Sequence, residues 1–184
     1  MKLNVPMLEL GKQAPNFENL KATDGKSYSL SSFDKNPVLV VIFSCNHCPY
    51  VVAYEDRMVA IQRDYASKGV QIIAINSNDD KSYPEDSFPN MVKRAKDKQF
   101  NFVYARDADQ SVVDAYGGVC TPHVFAFGQD RKLAYRGRID DSKDPSRVAS
   151  KDLRNAIDDL LSGKKVRAPD TRPFGCSIKL ISGM

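Results

Sequence analysis

The chain has no tryptophan, two histidines and only four cysteines in 184 residues. Four cysteines are too few for a framework of disulfide staples, so catalysis or metal binding is the expected use of the thiols. No apolar run approaches the roughly 20 residues that cross a bilayer; the longest is Val38–Phe43. The opening stretch, Met1-Lys2-Leu3-Asn4-Val5-Pro6, lacks the apolar segment and small-residue cleavage site of a secretory signal. With Met1 taken as the natural start, the expectation is a cytoplasmic protein with no membrane partner. There is no internal repeat and no low-complexity block. Excess charge of one sign is also scarce. The net +4 lies in residues 164–184, where Lys164, Lys165, Arg167, Arg172 and Lys179 stand against Asp170. Five basic residues so spread, without aromatic interleaving, describe a solvated surface, and nucleic acid is not an expected partner.

What is present is the composition of an ordinary globular chain, long enough for a single domain with a sizeable core. Its centre is Val38-Leu39-Val40-Val41-Ile42-Phe43-Ser44-Cys45-Asn46-His47-Cys48-Pro49-Tyr50. The uncharged, β-branched start reads as a fully buried strand. Residues 1–36 form an extension in which 20–22 and 27–30 read as strands around an Asp24-Gly25 turn, with Ser31 or Ser32 capping a short turn before Asn36-Pro37. A helix is expected from Asn46 to Lys68, with Pro49 in its first turn and Gly69 closing it. The core, 37–163, continues with a strand at 70–75, a polar loop Asn76–Asp80, a helix at 91–98, a strand at 101–106 and a short helix at 110–116. A strand at 123–127, its hairpin partner at 133–139 and an amphipathic helix at 149–161 complete it. Residues 164–184 have no clear period, so this basic tail must dock on the core or move. Alternating strands and helices followed by a hairpin predict α/β layers around a mixed sheet. Chemistry in such sheets gathers at the carboxyl ends of strands, where both Cys45 and the Asn76–Asp80 loop fall.

In Cys45-Asn46-His47-Cys48 the sulfurs are one helical turn apart, a spacing that admits a disulfide. A helix N-terminus favours a thiolate, and the thiolate is the nucleophile. On this basis Cys45 is expected to be the more exposed, attacking sulfur and Cys48 the shielded, resolving one. An imidazolium at His47 would lower a thiol pKa further, though His47 reads equally as a solvent-facing residue. The second feature is Cys120-Thr121-Pro122-His123 opening the strand 123–127, where a proline at a strand start implies a fixed turn or a cis bond.

A strand, Cys-x-x-Cys, a helix, and Thr-Pro before the penultimate strand together resemble the thioredoxin superfamily. Gly11-x-x-Ala14-Pro15-x-Phe17 and the hairpin after it resemble its redoxin and peroxiredoxin-like branch. Asn76-Ser77-Asn78-Asp79, Tyr83-Pro84-Glu85-Asp86, Tyr135 to Ser142 and Gly175 to Lys179 resemble a peroxiredoxin-like subgroup, so the likeness covers nearly the whole chain. It implies a thioredoxin-like α/β fold with a mixed central sheet flanked by helices, an N-terminal hairpin extension and a C-terminal tail. It also implies that Pro122 is cis and faces Cys45, and that Thr121 offers backbone hydrogen bonds to a substrate chain.

The dithiol is Cys-Asn-His-Cys where thioredoxin has Cys-Gly-Pro-Cys. The strand 38–44 lacks a buried carboxylate to accept a proton, and the peroxiredoxin Pro-x-x-x-Thr/Ser-x-x-Cys pattern is absent at both Cys45 and Cys48. The leading expectation is a thiol–disulfide oxidoreductase that uses a redox-active Cys45–Cys48 disulfide, supported by His47, Thr121 and Pro122, and no other cofactor. Its partners would be a disulfide-bearing protein or small thiol substrate and an electron donor the residues do not identify. The alternatives are a thiol peroxidase with Cys45 as the peroxide-reactive thiolate, and a redox-sensing or zinc-binding module without turnover. Zinc is not expected, because only one closely spaced ligand pair is present. Cys120 and Cys176 are candidate additional redox thiols: Cys120 as a neighbour of the dithiol or a small buried hydrophobe, Cys176 as a resolving or partner-binding tail thiol or an inert one.

Overall fold

The structure, a computed structural model, describes residues 6–181. The readings made on Met1–Val5 and on residues 182–184 lie outside that range.

The central strand is β3 (Val38–Ser44), in which every residue is buried. It pairs in parallel with β4 (Val70–Asn76), which pairs in parallel with β5 (Val103–Arg106). On its other edge β3 runs antiparallel to β7 (His123–Phe127), and β7 to β8 (Leu133–Gly137). The five-stranded mixed sheet has the order β5-β4-β3-β7-β8. With covers on both faces, alternate residues of β3 enter two separate cores. Val38, Val40 and Ile42 pack with α1 (Pro49–Tyr65), α2 (Phe88–Asp97) and α4 (Asp152–Leu161) through Tyr54, Met58, Met91 and Ile157. Leu39, Val41 and Phe43 pack with Val112, Val113 and Tyr116 of α3 (Ser111–Tyr116) and with Phe17 and Phe33 of the N-terminal extension. The expected hairpin is there, β1 (Leu20–Lys21) against β2 (Ser27–Tyr28), with Gly25 at φ +83°. The turn that follows starts at Ser29, whose N–H donates to Ser32 Oγ at 2.9 Å, rather than at Ser31 or Ser32 alone.

The main displacement of an element bears on the site. The helix expected from Asn46 begins at Pro49, and its last turn, Ala66–Lys68, tightens into a 3₁₀ segment before Gly69. Cys48 is held extended (φ −61°, ψ 125°) as the residue before a proline must be, and acts as N-cap, its carbonyl accepting Val52 N–H at 2.9 Å. The tail docks. Its strand β9 (Cys176–Ser177) pairs antiparallel with β6 (Cys120–Thr121), in the register Thr121 to Cys176. Among the described residues no helix is long and apolar enough to cross a membrane.

Candidate active site

β3 ends at Ser44 and hands Cys45 to the mouth of α1, while the cis Thr121–Pro122 peptide lies opposite. Thr121 touches both sulfurs: its Oγ1 is 3.4 Å from Cys45 Sγ, and its carbonyl oxygen is 3.4 Å from Cys48 Sγ. The expected dithiol and the expected Thr-Pro turn therefore meet. The expected difference in exposure does not exist. Cys45 is 2 % and Cys48 1 % exposed, because Tyr50 and the tail cover them.

The two thiols also perturb one another's acidity. Around Cys48 the groups that favour an anion are the Cys45 thiol first, then the Cys176 thiol and the backbone N–H groups of Val51 and Cys176. These outweigh its burial and hold Cys48 well below the usual thiol range. The Thr121 carbonyl receives the Cys48 S–H when that thiol is protonated. Cys45 is pushed up, by the Cys48 sulfur, by its own burial and by the Asp86 carboxylate. Both residues lie at the helix mouth: Cys48 sits at the cap and gains the Val51 N–H, and Cys45 gains the Cys48 N–H. The two sulfurs therefore titrate as one coupled pair, in which the surrounding donors favour an anion at Cys48.

The buried carboxylate missing from β3 arrives from elsewhere. Asp86 is fully buried and lies in a short turn between β4 and α2. It accepts the Asn46 N–H at 2.7 Å and the Asn78 side-chain amide at 2.8 Å, with the Asn76 amide at 3.3 Å. His47 Nδ1 is 2.9 Å from Oδ2, the oxygen that also accepts the Asn78 amide. The His47 ring stacks on Tyr83, with centroids 6.1 Å apart and planes 4° from parallel. His47 is therefore not simply solvent-facing, since its Nδ1 lies against a buried carboxylate. Asn46 is fixed by Tyr104, whose hydroxyl donates to its side-chain oxygen at 2.7 Å, and it donates to the Glu85 carbonyl at 2.8 Å. Sequence reading missed Asp86, Asn76, Asn78 and Tyr104 as site residues. The signal for the asparagines was a polar loop at the carboxyl end of a buried strand.

A donor atom from each of Cys45, His47 and Asp86 lies within 4.8 Å of the other two. A thiolate, an imidazole and a carboxylate are the donors a divalent zinc ion takes when a fourth position stays open. The ligand count made on sequence had only the Cys-x-x-Cys pair in view, since Asp86 is remote in the chain.

Cys176, partly exposed, packs against the Cys45–Cys48–Val51 cluster. Cys120 is outside that cluster. It is buried, its thiol donates to the Pro122 carbonyl at 3.7 Å, and burial pushes it up to about 12. The Thr121 backbone edge expected to hold a substrate chain is occupied by the protein's own β9.

The model of the Redoxin family matches residues 9–157. An uncharacterized conserved protein from Geobacillus kaustophilus is similar at 40 % identity, over 97 % of this chain and 95 % of that one, with a TM-score of 0.91. A hypothetical protein from Sinorhizobium meliloti 1021 is similar at 36 % identity, over 97 % and 98 % of the two chains, with a TM-score of 0.90. A thiol:disulfide interchange protein of the thioredoxin family from Chlorobium tepidum TLS shares the fold, with a TM-score of 0.63 at 21 % identity over 82 % and 97 % of the chains. Among curated proteins none matches. With a strand-to-helix dithiol facing a cis-proline and a family model spanning most of its length, the chain belongs to the Redoxin family.

Proposed function

We propose that the protein is a thiol–disulfide oxidoreductase whose working pair is Cys45 and Cys48, cycling between dithiol and disulfide without another cofactor. The observation that carries this is the placement of two sulfurs at the mouth of α1, both against Thr121 of the cis Thr121–Pro122 peptide. One sulfur of the pair attacks a disulfide as its thiolate, and the other resolves the mixed disulfide that results. The His47–Asp86 pair, the basic groups that reach Cys45, takes up the proton that Cys45 gives up. Its substrates are disulfides of proteins or small thiol compounds, with an external thiol as electron donor. The burial of Cys45 and its raised pKa weigh against a peroxidase, which needs an open thiolate.

The test is mass spectrometry of the oxidised protein after trapping of free thiols, combined with an insulin-reduction assay. A Cys45–Cys48 bond and turnover are expected; oxidised protein without that bond overturns the mechanism. A second reading rests on the Cys45–His47–Asp86 donor set, which favours a zinc-binding module without turnover. Stoichiometric zinc in the purified reduced protein, with silence in the insulin assay, is the outcome that supports it.

A further inference from the structure

While the tail is docked, neither sulfur of the dithiol, at 2 % and 1 % exposure, presents a face to a second molecule. Of the four cysteines only Cys176 is reached by solvent, and it lies against Cys48. Cys48 therefore has both Cys45 and the partly exposed Cys176 beside it.

The position of Cys176 is fixed on both sides. Before it, the Phe174 ring packs edge-on to Tyr50 at 5.9 Å and against Tyr54 at 6.2 Å. After it, Ile178 enters the core below Phe43. The Lys179 backbone then donates to Asn78 Oδ1 at 2.8 Å and accepts from Asp79 N–H at 2.8 Å. Between these anchors Gly175 lies so close to β6 that a Cβ there would fall 2.1 Å from the Thr121 carbonyl oxygen. Only a residue without a side chain lets the tail lie flat enough to bring Cys176 onto the dithiol.

We propose that Cys176 relays the disulfide of the buried pair to the surface, through a Cys48–Cys176 disulfide that an external thiol then reduces. This rests on the dithiol-exchange reading. In the oxidised protein the Cys176 thiolate attacks Cys48 Sγ. The Cys48–Cys176 bond forms, the Cys45–Cys48 bond breaks, and Cys45 leaves as a thiolate that takes up the proton Cys176 gave up. No electrons enter or leave in that step. An external thiol then attacks Cys176 Sγ, expels Cys48 as a thiolate and forms a mixed disulfide on Cys176. A second thiol reduces this, so that two thiols become one disulfide and the protein regains its dithiol.

The test uses the full chain in two variants. Cys45→Ser keeps Cys48 and Cys176; treated with one equivalent of diamide and digested without reduction, it is expected to yield an intramolecular Cys48–Cys176 peptide pair. Cys176→Ser is expected to form the Cys45–Cys48 disulfide as the wild type does, while reduction of that disulfide by glutathione slows by about tenfold or more. If Cys45→Ser gives no Cys48–Cys176 pair, or if Cys176→Ser is reduced at the wild-type rate, the relay is overturned. These results are distinct from failure of the exchange reading itself, which shows as a wild-type protein that forms no Cys45–Cys48 bond.

Discussion

The Asp86 carboxylate accepts the backbone N–H of Asn46 at 2.7 Å and so clamps a turn beyond β4 onto the residue that follows Cys45. Pro49 keeps Cys48 out of the helical region, so α1 starts at Pro49 and not at Asn46. The Asp86 bond then gives the Asn46 amide, left outside the helix, its partner. It also puts the negative Asp86 carboxylate beside Cys45.

Replacement of Asp86 by Asn removes that charge and turns an amide donor towards groups that already donate. Cys45 is then expected to titrate at lower pH than in the wild type. The protein should lose about 1–3 kcal/mol of stability, as when buried hydrogen-bonding groups go unsatisfied. Thiolate absorbance against pH reads the first effect and urea unfolding the second. A Cys45 titration unchanged or moved upward contradicts the electrostatic role of Asp86.

Arg94 of α2 grips Glu55 of α1, its Nε and Nη2 lying 2.8 and 2.5 Å from the two carboxylate oxygens. Glu55 is 1 % exposed, so Arg94→Ala leaves a buried carboxylate with only Lys98 at 4.0 Å. A loss of about 3 kcal/mol is expected by urea unfolding. A loss under about 1 kcal/mol, the size of a surface pair, shows that water replaces the arginine.

Stability should fall in acid through His123. Burial in β7, then the charge of Arg136, hold its imidazole down to about 4, against 6.5 when free, with Asp170 opposing. Between those values the unfolded chain takes up a proton that the folded one refuses. This contribution is whole above pH 6.5, declines as pH falls and levels off below about 4. It amounts to about 3 kcal/mol over that window. The difference between the unfolding curves of wild type and His123→Phe isolates it; parallel curves from pH 7 to 4 refute it.

Phe174→Ala removes the ring that presses the tail onto Tyr50 and Tyr54. Local opening of the tail should become easier, and labelling of Cys45 and Cys48 by a bulky maleimide should quicken by about tenfold. Equal rates in variant and wild type mean that something other than the tail shields the dithiol.

Much of this was legible in local pattern. The unbroken apolar run Val38–Phe43 specified a strand buried on both faces, and Gly69 marked the end of the helix region. The Thr-Pro before the penultimate strand pointed to the cis turn. These features depend on neighbours within a few residues, which is the range over which periodicity and turn chemistry act. One expectation about the site went the other way: Cys45 is as buried as Cys48. Groups remote in the chain cause this, above all the tail with its β9 strand laid over the dithiol.

The sequence by itself determined that a Cys-x-x-Cys pair would stand between a buried strand and a helix, in an α/β fold of thioredoxin type. Tertiary structure decided the rest. It brought in the buried carboxylate, covered both sulfurs and laid Cys176 against Cys48. A thiol's acidity and reach depend on the charges and donors around it in space, and spacing along the chain places only those that are also neighbours in sequence.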